Sequence, residues 1–241
     1  MIISRLSIII PVYNEQETVV PILEKVLAVK LPDGILMELV VVDDASTDAS
    51  ASRVESFLQR VRLSVPVNFF RHEQNKGKGG AIHTAIKHVK GDYMIIQDAD
   101  LELDPNDFIQ LLKPVVNGNA EVVYGSRFLN NSSGKQSRNL SFLANAFLTS
   151  LSNLFFGTRL TDMETCYKLM PVPEVKNLIL KEERFGFEPE VTAKLARNKN
   201  IRFAEVPVTY IARTDLQGKK IGWKDGVRAL WCIVKYGILR Q

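Results

Sequence analysis

Short apolar runs separated by polar, turn-forming stretches organise the first half of the chain, and the runs at 6–10, 36–42, 67–70, 93–96 and 121–124 predict strands. The segments between them carry helix signals. Asn14 followed three residues later by Glu17 has the spacing of a capping box, and Ser46 or Thr47 suits the cap of a second helix. Residues 79–88 carry a third helix, and Asp104-Pro105 sets proline at the first position of a fourth. Strand and helix alternating at this spacing predict an α/β fold with a mostly parallel sheet. The near-continuous apolarity of the strands predicts helices on both faces of it.

The second half reads differently. Residues 128–141 contain the polar run Asn-Asn-Ser-Ser-Gly-Lys-Gln-Ser-Arg, which fits a mobile active-site loop better than a domain linker, because no second self-contained strand-helix series follows. An apolar helix ending near Phe156, helices near 173–180 and 188–198, and strands near 201–205 and 208–211 complete the pattern. At the C-terminus, Trp223, Val227, Leu230, Trp231, Val234 and Ile238 recur at helical spacing on one face, edged by Lys224, Arg228 and Lys235. Such a helix either docks on its own core or lies in a membrane interface. The chain is expected to be one domain over 1–241, with a nucleotide-binding half (1–127), an acceptor-side half (128–222) and the amphipathic helix (223–241).

Composition narrows the class without choosing within it. A chain of 241 residues with 46% hydrophobic and 24% charged residues is ordinary for a folded globular protein. Its net charge of +4 suits phosphate-bearing substrates or an anionic membrane. The two cysteines, Cys166 and Cys232, have no metal-ligand spacing, which argues against a disulfide framework or zinc site and suits a reducing compartment. The start of the chain is strand-like and lacks the pattern of a signal peptide, so a cytoplasmic location is expected. The longest uncharged stretch, 139–158, carries too many Asn, Ser and Thr residues for a membrane span.

Candidate chemistry begins with Gln97-Asp98-Ala99-Asp100-Leu101-Glu102, which follows the fourth predicted strand. In an extended backbone, residues two apart face the same way, so Asp98, Asp100 and Glu102 are expected to converge just past a strand end. Three such carboxylates repel unless a cation sits among them, and hard oxygen ligands suit Mg²⁺ or Mn²⁺. The competing reading of Asp-x-Asp alone is a solvated turn. Upstream, Tyr13 can pack on a nucleobase face and Asp43 can accept from a ring N–H. The glycine-rich segment 75–81 matches neither a dinucleotide-binding nor a P-loop spacing, and is expected to serve tight packing rather than phosphate contact. Arg127 closes the fifth strand as a fixed cation, and Arg213 with Lys219-Lys220 brackets a flexible segment suited to a diphosphate. The acidic segment 185–190 reads as charge at a helix start, with Glu190 as its site candidate. His72, His83 and His88 share no metal or triad spacing and are expected to be structural.

Pro-x-Tyr-Asn-Glu at 11–15, Val-Asp-Asp-x-Ser-x-Asp at 42–48 and Asp-x-Asp at 98–100 together make the chain resemble the family 2 glycosyltransferases of the GT-A fold. The resemblance covers essentially the whole chain and is strongest toward the polyprenyl-phosphate sugar transferases of the dolichol-phosphate mannose synthase type. It implies that Pro11, Tyr13, Glu15, Val41 and Asp43 surround base and ribose, and that Asp98, Ala99, Asp100 and Arg127 contact the donor. It implies that Arg213 and Lys220 hold phosphates, and that Asp98, Asp100 and Glu102 hold Mg²⁺ or Mn²⁺. Asp162 and Glu164 lie in the segment that matches the family's acceptor side, and either is a candidate base if the acceptor is a hydroxyl. The expected reaction is metal-dependent, inverting transfer from a GDP- or UDP-linked sugar to a polyprenyl phosphate at the cytoplasmic face of a membrane. A membrane partner protein is compatible with this reading, and no nucleic-acid partner is expected. Transfer to a saccharide hydroxyl, a sugar nucleotidyltransferase and a non-catalytic partner subunit are the alternatives.

Overall fold

The computed structural model describes residues 3–61, 64–129, 140–213 and 223–238. Strands β1 (Arg5–Val12), β2 (Leu36–Asp43), β3 (Val67–Arg71) and β4 (Tyr93–Ile96) form a parallel half-sheet in the order β3-β2-β1-β4. Residues 6–10 of β1, 39–42 of β2 and all of β4 are buried, as strands covered on both faces must be. Between them run α1 (Val19–Ala28), α2 (Ser50–Arg60) and α3 (Lys78–His88). Helix α1 buries Val19, Ile22, Leu23 and Val26, the apolar stripe its 3.6-residue period requires.

After β4 come a 3-10 turn at Pro105–Asp107, α4 (Phe108–Val116), β5 (Val122–Ser126) and α5 (Leu140–Phe156). Then follow β6 (Lys168–Pro171), α6 (Val172–Lys176), α7 (Phe187–Ala196), β7 (Phe203–Pro207) and α8 (Trp223–Ile238). Strand β6 enters the sheet antiparallel between β4 and β5, and β7 pairs parallel with β5, giving the seven-strand order β3-β2-β1-β4-β6-β5-β7. One apolar core runs from Ile3 to Ile233. Among the described residues, no helix is long and apolar enough to cross a membrane.

Several local expectations change. Asn14 does not open a helix: it has φ of 52°, and its Oδ1 accepts from the backbone N–H of Thr47, stitching the end of β1 to the loop after β2. Helix α1 starts later, behind Thr18, without a side-chain cap. Asp48, rather than Ser46 or Thr47, accepts from the Ser50 N–H at the start of α2. Asp104 and Pro105 do open a helical turn, with Asp104 accepting from the Asn106 N–H. Strand β6 has no apolar alternation and ends in proline, so it gave no sequence signal. The strand expected at 208–211 reduces to a bridge between Tyr210 and Leu103. That bridge holds the 210 segment against the acidic turn, with the Ile211 N–H donating to the Glu102 carbonyl at 2.8 Å.

Candidate active site

The carboxyl ends of β1 and β4 open into a cavity of about 1070 Å³, the place where open α/β sheets bind ligands. Pro11 at the end of β1 and Tyr13 and Glu15 just past it line the cavity, with Asp98, Ala99, Asp100 and Glu102 from the segment after β4 and Arg127 just past β5. Glu164 and Arg213 join them from the second half of the chain. Three expected residues stand outside the lining. Val41 is fully buried in β2, Asp43 sits at the end of that strand, and Asp162 is buried behind Arg127. Lys219, Lys220 and loop residues 130–139 lie outside the described residues.

The acidic run is a turn, not an extended strand end. Leu101 takes φ of 64°, and Asp100 Oδ1 accepts from the Glu102 N–H at 3.1 Å. Glu102 is turned toward the 210 segment, where its Oε1 accepts from the Arg213 N–H at 2.9 Å. The three carboxylates therefore do not form a ready-made cage: among the described residues no group of three His, Cys, Asp or Glu side chains is gathered closely enough to hold a metal ion. Their charges still act on one another. Burial, then Asp98 and Glu102, push the Asp100 carboxyl up to about 7, so negative charge here lacks full compensation. Asp98 takes its partial compensation from Lys78, whose Nζ lies 3.0 Å from Oδ1 and 3.1 Å from Oδ2. The Asp98 and Asp100 oxygens fit a hard divalent cation that gains further ligands from a substrate.

Asp44 organises the segment that carries Lys78. Its carboxylate accepts from the backbone N–H groups of Lys76 (2.9 Å) and Gly77 (2.7 Å) and from the Asn75 amide (2.9 Å). His72 Nδ1 bonds the same carboxylate at 2.7 Å, and its Nε2 bonds Thr84 Oγ1 at 2.8 Å, which makes His72 a strut between β3 and α3. Gly77 has φ of 88°, and a Cβ there would stand 2.6 Å from the Glu183 carbonyl. Gly77 and Gly79 thus pack closely against the 182–183 backbone. Asp43 has a different environment: Oδ2 accepts from the Ser46 N–H at 3.1 Å, whereas Oδ1 is buried with no partner.

Two arginines are held by carboxylates. Arg127 donates from Nε and Nη2 to the two oxygens of Asp162, at 2.7 and 2.8 Å, and Asn145 donates to Asp162 as well. Burial alone would raise the Asp162 carboxyl, but Arg127 outweighs it and holds it below the usual carboxylate range. Asp162 thus serves as the anchor of Arg127. Arg213 reaches Glu15 through Nη1 and Nη2 at 3.1 and 2.7 Å, and its Nε donates to the Asp100 carbonyl at 2.9 Å.

Lys78 and Glu188 line the cavity without having been expected there from the sequence. Lys78 looked like part of a glycine-rich packing segment, and Glu188 like a helix-start charge. Glu188 lines the cavity 3.2 Å from Lys78 Nζ, whereas Glu190 is fully buried and accepts from the backbone N–H groups of Lys181 and Glu182. Two buried glutamates two positions apart at a helix start give no sign in the sequence of which one lines the cavity. His72, His83 and His88 do not line the cavity.

Glycosyl transferase family 2 matches residues 7–173. A dodecaprenyl-phosphate galacturonate synthase from Rhizobium johnstonii is 27% identical over 210 residues, covering 87% of this chain and 60% of that protein. A dolichyl-phosphate beta-glucosyltransferase from Dictyostelium discoideum is 29% identical over 230 residues, covering 90% of this chain and 68% of that protein. The chain thus spans about six to seven tenths of the length of these curated relatives. The crystal structure of glucosyl-3-phosphoglycerate synthase from Mycobacterium tuberculosis with Mg²⁺ and UDP has the same fold, with a TM-score of 0.69 at 18% identity, covering 97% of this chain and 79% of that one. With its fold shared and its family pattern running from β1 to α6, the chain belongs to glycosyl transferase family 2.

Proposed function

We propose that this protein transfers a sugar from a nucleoside diphosphate sugar to a polyprenyl phosphate, with inversion at the anomeric carbon, at the cytoplasmic face of a membrane. The observation that carries the acceptor choice is the rim of the cavity. Phe147 and Leu148 of α5 and Val227 and Leu230 of α8 line it, and the two helices continue outward with exposed Leu143, Leu154, Trp231 and Ile238. An apolar rim joined to a polar, charged floor suits a lipid that presents a phosphate. The relatives named above carry polyprenyl-phosphate acceptors in their names, which supports the same class.

On the donor side, Tyr13 packs on the base and the free Asp43 Oδ1 accepts from a ring N–H, with Pro11 and Val41 shaping the strand ends beneath them. Glu15 and Ala99 flank the ribose and the diphosphate. Asp98 and Asp100, with Glu102 beside them, would hold Mg²⁺ or Mn²⁺, which when bound neutralises charge on the leaving diphosphate. Arg127, Arg213 and Lys78 supply fixed positive charge around the same oxygens, and Lys220 is proposed to add to it. A phosphate acceptor is an anion at neutral pH and needs no base. Asp162 is then free to spend both oxygens on Arg127, as it does.

A second reading, transfer to a saccharide hydroxyl, is favoured by one observation. Glu164 lines the cavity with a partnerless oxygen, and burial followed by Glu188 raises it to about 8, a range useful to a general base. Turnover of UDP-, GDP- and dTDP-sugars with Mg²⁺ or Mn²⁺, measured with and without polyprenyl phosphate in liposomes, decides between them. Turnover that requires the lipid phosphate is expected; equal turnover with a free saccharide, or liposome binding indifferent to replacing Phe147 and Trp231 by serine, would count against the lipid acceptor.

A further inference from the structure

The floor of the cavity holds two carboxyl groups that the lipid-phosphate mechanism leaves without a role. Glu188, in the first turn of α7, is only 3% exposed, and its Oε2 has no hydrogen-bond partner. Glu164, in the loop between α5 and β6, likewise has a buried Oε1 without a partner. Both residues line the cavity. Buried acceptors are nearly always satisfied in folded proteins, so two left open at a cavity wall mark the place of a ligand that brings donors.

Their position relative to the acidic turn is fixed by one ammonium group. Lys78 Nζ lies 3.0 Å from Asp98 and 3.2 Å from Glu188, so the carboxyl pair begins one lysine headgroup away from where the diphosphate is placed. Lys168, fully buried, donates to the carbonyls of Met163 and Thr165 and thereby fixes the backbone on either side of Glu164. Burial and the neighbouring Glu188 raise Glu164 to about 8, so at neutral pH Glu164 can present an O–H as well as an acceptor.

Resting on the donor reading above, we propose that Glu164 and Glu188 form the subsite that recognises hydroxyl groups of the transferred sugar, and that this sugar is an uncharged hexose. Sugar hydroxyls supply the donors that the open oxygens lack. A uronic acid does not fit: its carboxylate brings acceptors alone and a negative charge beside Glu188 and Asp98. The chain would then differ in donor choice from the relative named for galacturonate.

The test is titration calorimetry of the full chain with Mg²⁺ and UDP, GDP, dTDP, UDP-glucose, GDP-mannose and UDP-glucuronate, for wild type, Glu188→Gln and Glu164→Gln. In wild type a neutral sugar nucleotide is expected to bind at least about tenfold more tightly than UDP-glucuronate. Glu188→Gln should weaken it roughly tenfold, the scale of one lost hydrogen bond to a charged group, and Glu164→Gln by less, since an amide keeps a donor and an acceptor in place of the acid, while the bare nucleotide changes less than about twofold. Equal binding of the glucuronate, or unchanged sugar-nucleotide affinity in both folded variants, overturns the proposal and leaves the donor reading intact. Failure of wild type to bind any of the nucleotides overturns both. The hexose-uronate comparison needs no variant, so it stands even if a substitution unfolds the protein.

Discussion

The guanidinium of Arg213 grips both carboxylate oxygens of Glu15, at 3.1 and 2.7 Å, across 198 residues of sequence. The same guanidinium donates from Nε to the Asp100 carbonyl, and the Arg213 N–H donates to Glu102. One residue thus ties the loop after β1 to the acidic turn after β4. In the free protein it serves as a brace; contact with a diphosphate would require it to exchange Glu15 for phosphate oxygens. Both side chains are about nine-tenths buried, so neither loses its partner cheaply.

Arg213→Ala is therefore expected to destabilise the fold by roughly 3 kcal/mol, because it strands the Glu15 carboxylate. Arg213→Lys should recover only part of this, since an ammonium cannot reproduce the two-point contact. Urea denaturation of the single and double variants with Glu15→Gln measures the coupling. A coupling energy near zero would show that the pair is ornamental.

Asp100→Asn removes charge from a crowded acidic turn. The thermal midpoint should stay level or rise, because burial and repulsion from Asp98 and Glu102 already disfavour the Asp100 carboxylate. Donor turnover should nonetheless fall at least about a hundredfold, the scale of a lost electrostatic contact to a leaving group. Mn²⁺ binding followed by paramagnetic resonance should weaken in parallel. Full turnover in the presence of a chelator would sink the metal assignment.

Asp44→Ala strips acceptors from the backbone N–H groups of Lys76 and Gly77, and from Asn75 and His72. A loss of about 3 kcal/mol is expected from buried donors left unsatisfied. Faster amide exchange at residues 76–80 should accompany it, since this carboxylate is what holds the segment that delivers Lys78 to Asp98. Unchanged exchange there would refute the anchoring role.

Glu182 fastens α8 to the rest of the fold through Arg228, Lys235 and the Tyr236 hydroxyl. Burial works against its charge, but the hydrogen bonds from Lys235, Arg228 and Tyr236 win and lower the carboxyl from 4.5 to about 2. A carboxyl depressed on folding stabilises fully above its unfolded value and loses that contribution as pH falls toward the folded one. Thermal stability should therefore decline between about pH 5 and pH 2, and Glu182→Gln should be less stable at pH 7 yet show a flatter acid limb over that window. Parallel acid limbs for the two proteins would contradict this.

What the sequence by itself determined is local and periodic. Buried strands of continuous Ile and Val, amphipathic α1 and the Asp104-Pro105 turn are dictated by burial and backbone preference, and they are sufficient for the parallel half of the sheet. The resemblance to a known family also named Tyr13, Glu15, Asp98, Asp100 and Arg127, and all five line one cavity at the strand ends. Tertiary structure decided which of the charged groups meet. A left-handed Leu101 converts the expected extended run into a turn, and the bridge of Tyr210 to Leu103 brings Arg213 onto it. Asp162 is spent on Arg127, while Glu164 and Glu188 keep open oxygens. Electrostatic roles depend on distances between segments up to 198 residues apart, and no periodicity or motif spacing encodes those. The antiparallel β6 escaped for the same reason: four residues with a buried lysine and a terminal proline become a strand only because β4 and β5 leave a gap of that width.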